Sequence, residues 1–237
     1  MPPFLGQGMC SGFRDAQSIA FKLDLVLRGA AGNDILDTYQ TEREPHVRAV
    51  TEKGIELGHL QTLRDPERAA ERDRTLLARR AASAAPEAIR LPSLVEGLFA
   101  RNSGAGRGQL SVQGQVDDGT RRDRLDQIVG GGFHLLIQER SLDSAQLTGL
   151  LDDLARAGVR VVVVGGRIEI PEAFGVHDVD GTYRDWFTEL GCSAVVVRPD
   201  FYVFGTANEP DAVAELVGEL LSAVRGGDAV ADVRVTA

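Results

Sequence analysis

The chain has 237 residues, of which 43% are hydrophobic, enough apolar material for one large or two ordinary globular cores. Its formal net charge of -9 and isoelectric point near 5.0 argue against a surface built for nucleic-acid phosphates or anionic lipid, leaving small molecules and proteins as partners. The two cysteines, Cys10 and Cys192, form no CxxC and have no histidine at ligand spacing, so neither a disulfide framework nor a zinc site is expected. No apolar run reaches the roughly 20 residues of a membrane span, and the first residues lack a signal-peptide pattern; a soluble, cytoplasmic protein is expected.

The opening residues are turn-formers and glycines. A helix follows over 11–27, with Ser11 as its N-cap and Ala16, Ile19, Ala20, Leu23 and Leu27 at three- and four-residue spacing as its buried face. Arg28 and Gly29 suit its end. A second helix opens at Asn33 or Asp34, and Pro45 either kinks it or starts a third that runs to about Leu60. Residues 64–90 are rich in Arg, Glu, Asp and Ala with only Leu76 and Leu77 as an apolar stripe, which predicts a solvent-facing helix. Residues 102–108 contain no core-forming side chains and mark a linker.

Beyond the linker, strands and helices alternate. Residues 133–138 and the valine run 159–164 read as buried strands, joined by a helix over 143–157 whose Leu147, Leu150, Leu151 and Leu154 share a face. A right-handed βαβ unit is expected. A short helix over 183–190 precedes two strands, 193–197 and 201–204, whose Arg198-Pro199-Asp200 connection implies an antiparallel hairpin. A last helix spans 210–224, and Gly226-Gly227 ends it. Strand, helix, strand, helix, hairpin, helix is the order of the thioredoxin fold. The domains read as 1–62, a helical connector and linker over 63–110, a thioredoxin-like domain over 111–229 and a loose tail over 230–237. The fold class is α/β.

The chemistry concentrates in MPPFLGQGMCSGFRD, residues 1–15. Gly6 and Gly8 lack a Cβ, so backbone can approach a flat ring closely. The amides of about Met9 and Cys10 point from the amino end of the helix, giving paired donors at the positive end of its dipole. An anion suits that place.

This stretch closely resembles the last FAD-contacting motif of class A flavoprotein monooxygenases, above all the 3-(3-hydroxyphenyl)propionate hydroxylases and the phenol hydroxylase-like enzymes. The likeness continues through Lys22-Leu23, residues 36–43 and Pro45-His46-Val47-Arg48. It implies an FAD- and NAD(P)H-dependent hydroxylase of phenolic or polycyclic aromatic substrates. The cofactor-binding residues would be Pro3, Gly6, Gln7, Gly8, Met9, Cys10 and Ser11, with the Pro3 carbonyl toward the phenol and the helix end stabilising charge on the reduced isoalloxazine. No side chain is assigned a catalytic role and no metal is implied; a homodimer is left open.

The same resemblance places a strand with GxGxxG and a later Gly-Asp motif ahead of this stretch, where pyrophosphate and ribitol are held. Neither occurs in these residues, so no stable FAD binding by this chain alone is expected. His46, His59, His134 and His177 have no nucleophile partner in a recognisable motif, and His46 reads as a residue at a helix start. Without CxxC the thioredoxin-like part is not expected to exchange disulfides, and Cys192 reads as a buried core residue. The alternative is a non-catalytic module in which that domain mediates binding or self-association.

Overall fold

A computed structural model of the chain describes residues 1–82, 91–101, 104–141, 144–166, 170 and 172–225. The expectations placed at 83–90, 102–103, 143 and 226–237 lie outside the described residues, among them the glycine stop after the last helix and the loose tail. The chain divides into two compact units, one of residues 1–16 and 43–92, the other of residues 17–42 and 93–237.

The first unit contains the opening loop, the start of helix α1 (Gly8–Leu27), most of α2 (Asp37–Gln61) and α3 (Pro66–Ala82). Helix α1 begins three residues earlier than the sequence suggested, because Gly6 at φ 62 closes a 3-10 turn over Pro3–Leu5 and releases the chain directly into the helix. Pro45 neither breaks nor restarts α2; the helix is continuous. The ring costs about 3 kcal/mol, yet the helix runs through it with Arg43, His46 and Val50 buried along one face. Asp65 caps α3, accepting from the Arg68 amide at 2.9 Å, with Pro66 in the first helical position as the rule for helix starts requires. No described residue of α3 is buried, in line with the solvent-facing helix expected there.

The second unit is built on a seven-stranded sheet in the order β2-β1-β5-β4-β3-β6-β7. The strands are β1 (Gln115–Asp117), β2 (Arg122–Arg124), β3 (Phe133–Gln138), β4 (Val159–Val164), β5 (Ala173–Asp178), β6 (Ala194–Val197) and β7 (Val203–Ala207). β3, β4 and β5 are parallel; β6 and β7 extend the sheet antiparallel on one side, β1 and β2 on the other. The βαβ unit therefore stands where the sequence put it; the hairpin is present, but its second strand runs over Val203–Ala207 and not 201–204, because Phe201 at φ 67 belongs to the turn. β1, β2, β5 and the short helix α4 (Leu125–Val129) were not anticipated, since β5 carries Gly, His and Asp, and β2 reads Arg-Asp-Arg.

All six residues of β3 are buried, because helices cover both faces of the sheet. Phe133, Leu135 and Ile137 pack with Leu147, Leu151 and Leu154 of α5 (Ser144–Arg156) and with Leu216, Val217 and Leu220 of α7 (Pro210–Arg225). Leu136 and Val162 pack with Tyr183, Trp186 and Phe187 of α6 (Thr182–Leu190) on the other face. Each such side chain contributes about 1.5–3 kcal/mol by leaving water.

Helix α1 corrects the sequence reading most. Its buried positions are Ser11, Ser18, Phe21, Lys22 and Leu25, whereas Ala16, Ala20, Leu23 and Leu27 are exposed and Ile19 is half-buried. The apolar stripe is on the outside because a paired lysine occupies the inside.

Candidate functional site

The site expected from sequence is the loop into α1. The Pro3 carbonyl accepts from the Gly6 amide at 2.9 Å, and the Gln7 carbonyl accepts from the Ser11 amide at 2.8 Å. Among the described residues no backbone acceptor pairs with the amides of Gly8, Met9 or Cys10, which form the first turn of α1. No acidic residue occupies that turn, so the positive helix end is not neutralised from within it. A Cβ placed on Gly6, Gly8 or Gly12 would meet nothing within 4 Å. The entrance is open, and its donors number three rather than the two expected.

Pro3, Gly6, Gly8 and Met9 are exposed, and Gln7 and Cys10 are half-buried. The Gln7 side-chain oxygen accepts from Arg14 at 3.3 Å. Ser11 differs from these: it is buried, its amide is used within the helix, and its hydroxyl lies 3.8 Å from the Met1 sulfur. It is not the N-cap, because α1 starts ahead of it.

Two residues that sequence reasoning missed shape this loop. Gly54 and Gly58 face it from α2; a Cβ on Gly58 would lie 2.5 Å from the Phe4 ring, and one on Gly54 would lie 3.8 Å from the Pro2 carbonyl oxygen. Two glycines four residues apart inside a long helix were the available signal, since each costs about 1 kcal/mol there; close approach of the Phe4 ring accounts for Gly58, whereas a side chain on Gly54 would meet only ordinary contacts. Below them Arg43, buried, donates to Asp15 at 2.8 Å. Burial and the nearby Arg43 and Arg14 guanidinium groups push the His46 imidazole down to about 4, against the opposing pull of Asp15. His46 is thus neutral near pH 7 and lies inside α2, not at a helix start.

The second unit holds α1 by charge. Lys22 donates to Glu42 at 2.7 Å, and Arg198 grips the same carboxylate with two bonds of 2.9 and 2.7 Å while reaching Asp200 at 3.0 and 2.7 Å. All four side chains are 0–1% exposed. The Arg198 guanidinium also lies over the rings of Phe21 and Phe99, 5.4 and 4.8 Å from their centroids, a favourable cation–π arrangement. A Cβ on Gly97 would collide with the Glu42 side chain, and the next amide, Leu98, donates to that carboxylate at 2.8 Å. Burial would raise Glu42, but Arg198 and Lys22 outweigh it and hold it below the ordinary carboxylate range. Burial likewise pushes Lys22 down, and Glu42 offsets this only in part. Sequence reasoning gave Arg198 a turn role; nothing local announced its burial.

Cys192 is buried and its thiol is pushed up to about 11 by desolvation, which suits an inert core residue. Among the described residues no cluster of His, Cys, Asp and Glu could hold a metal, and no helix is long and apolar enough to cross a membrane.

An open, glycine-bordered helix start is thus followed in the chain by a mixed α/β sheet domain. Residues 1–54 match the FAD binding domain and residues 108–223 the HcaD C-terminal domain. The chain is 42% identical over 224 residues to a probable NADH-specific resorcinol 4-hydroxylase of Rhodococcus jostii, covering 94% of this chain and 41% of that protein. It is 31% identical to a 3-(3-hydroxy-phenyl)propionate/3-hydroxycinnamic acid hydroxylase of Burkholderia vietnamiensis, covering 90% and 42%. The fold matches aklavinone-11 hydroxylase in its ternary complex with FAD and aklavinone (TM-score 0.65, 22% identity, 94% of this chain and 41% of that one). It also matches anhydrotetracycline hydroxylase from Streptomyces rimosus (TM-score 0.63, 23% identity, 94% and 42%). The chain belongs to the class A flavoprotein aromatic hydroxylases and corresponds to their carboxyl-terminal part. It spans about two fifths of the length of the curated relatives it matches.

Proposed function

We propose that this chain supplies the isoalloxazine-side loop and the accessory domain of an FAD- and NAD(P)H-dependent monooxygenase that hydroxylates phenolic compounds. The observation that carries this is the open start of α1, where three amides lack acceptors and two glycines leave the approach clear. A flavin, when bound, supplies hydride acceptance and oxygen activation. The chain's own part is electrostatic: the amides of Gly8, Met9 and Cys10 would stabilise negative charge on the pyrimidine edge of the ring system, an effect of roughly 0.3–2 kcal/mol. Gly6 and Gly8 would admit the ring to van der Waals distance. One lone pair of the Pro3 carbonyl stays available for a phenol hydroxyl after Gly6 takes the other, and Ser11 would contribute through the helix it belongs to and not by direct contact.

The resemblance implies that the motifs holding the pyrophosphate and ribitol lie outside these residues, and the chain spans about two fifths of its relatives, so the chain by itself is proposed to bind flavin weakly. Purified chain should be colourless. Mixed or co-expressed with the remaining part of the resorcinol hydroxylase relative, it should yield a yellow complex whose NAD(P)H oxidation rises on addition of a phenol. A folded mixture that stays colourless would sink the reading.

A second reading takes its support from part of the sheet: β4-β3-β6-β7, with β3 and β4 parallel, an antiparallel hairpin and a closing helix, resembles the strand order of a thioredoxin-like domain. In that reading the domain mediates self-association or binding, without redox exchange. Sedimentation of the chain mixed with the remaining part of the relative separates it from the first: a homodimer that takes up neither that part nor flavin supports it.

A further inference from the structure

At the amino-terminal edge of the parallel strands, α1 and the turn ahead of β3 enclose a cleft of about 490 Å³. All its lining residues lie in the second unit and none takes part in the open start of α1. In a chain of net charge -9, this cleft carries two guanidinium groups, Arg28 and Arg160, against one carboxylate, Asp24. The Arg28–Asp24 pair is 2.6 Å long, with side chains 60% and 58% exposed, so solvent screens it and a better anion can displace it. Arg160 donates one bond, to the Gly131 carbonyl, which leaves most of its five N–H donors for another acceptor.

The glycine turn that lines the same cleft leaves room for close approach. Gly130 and Gly132 have φ of 78 and 123, which side chains rarely adopt, and a Cβ on Gly131 would face open space. The remaining walls are apolar: Phe21, Leu25, Phe133 and Pro199. Two guanidinium groups and an apolar wall lining one cleft match a carboxylate carried on an apolar body. Free phosphate would use only the guanidinium groups.

We propose that this cleft is a binding site for a small monocarboxylic acid with an aromatic or aliphatic body. The proposal does not depend on flavin binding. The test is titration of the isotopically labelled full chain with benzoate, and separately with inorganic phosphate at matched ionic strength, following the amides of Gly131, Gly132 and Gly158 by NMR. Benzoate should give saturable shifts with a dissociation constant on the order of 1 mM. Binding should weaken at least fivefold in Arg28→Gln and in Arg160→Gln, both of which keep the exposed surface intact, and should be unchanged in the control Arg140→Gln. Phosphate binding as tight as benzoate would overturn the ligand class. No saturation, or benzoate binding that survives both glutamine substitutions, would overturn the site.

Discussion

At the residue scale, Arg198 carries the most. Its charge is buried against two carboxylates and a lysine, and removing one partner of such a group leaves uncompensated charge in a low dielectric. Arg198→Met should therefore destabilise the second unit by about 3–5 kcal/mol, read as a shift of the urea midpoint with little change in slope. Arg198→Lys should lose less, since the charge stays and only the bidentate fork is lost. His46 gives a second prediction with a defined sign. Its folded value of about 4 lies below the unfolded value of about 6.5, so between these the unfolded chain binds more protons and stability rises with pH. Stability should fall as pH drops from 6.5 toward 4, by on the order of 2 kcal/mol, and His46→Gln should flatten that window in denaturant titrations. Glu42, held below its ordinary value, acts in a different range: its contribution is present above an unfolded value of about 4.3 and is lost below it.

At the scale of elements, the sequence located those whose signal is local. The Phe133–Gln138 and Val159–Val164 strands, the leucine face of α5 and the Arg198-Pro199-Asp200 turn follow from composition and period, and each is present in the structure. Helix α1 misled for a physical reason: hydrophobic periodicity identifies an apolar face but not what covers it, and the buried face is decided by Glu42 and Arg198, residues remote in sequence. Its exposed stripe is a consequence, with Met9 72%, Phe13 64% and Leu27 83% exposed. Phe13→Asp should leave the unfolding midpoint of this chain within about 0.5 kcal/mol of its original stability. Under the proposed function it should abolish yellow-complex formation with the rest of the relative, because that face would then meet its partner with a charge. In the opening loop the expectation concerns shape. Gly58→Leu should displace the Phe4 ring from α2, read as loss of the ring's contacts to the α2 backbone in NMR, while the helix itself gains propensity of roughly 1 kcal/mol.

At the scale of the whole molecule, two boundaries disagree. The family matches divide the chain at 54 and 108, whereas contact density assigns residues 17–42 to the same unit as 93–237. The reason is the ion cluster together with Phe21, Leu25 and Ile35, which join the core around Phe133 and Leu135. No reading of local periodicity could find this, because the decisive pair, Glu42 and Arg198, is separated by 156 residues and a buried ion pair has no sequence signature. It follows that the accessory domain cut out alone is not a finished fold. A fragment of residues 93–237 keeps the Arg198–Asp200 pair but loses Glu42, Lys22 and the apolar cover from α1, so it exposes Phe133 and opens that pair to solvent on the side Glu42 had filled. It should melt more than 10 °C below the full chain, since losing about 3–5 kcal/mol from a domain of this size shifts the midpoint by roughly that much or more. Adding a peptide of residues 17–42 in excess should restore part of the difference by mass action. A fragment that melts with the full chain, and ignores the peptide, would show that helices α1 and α2 are carried by this domain without supporting it.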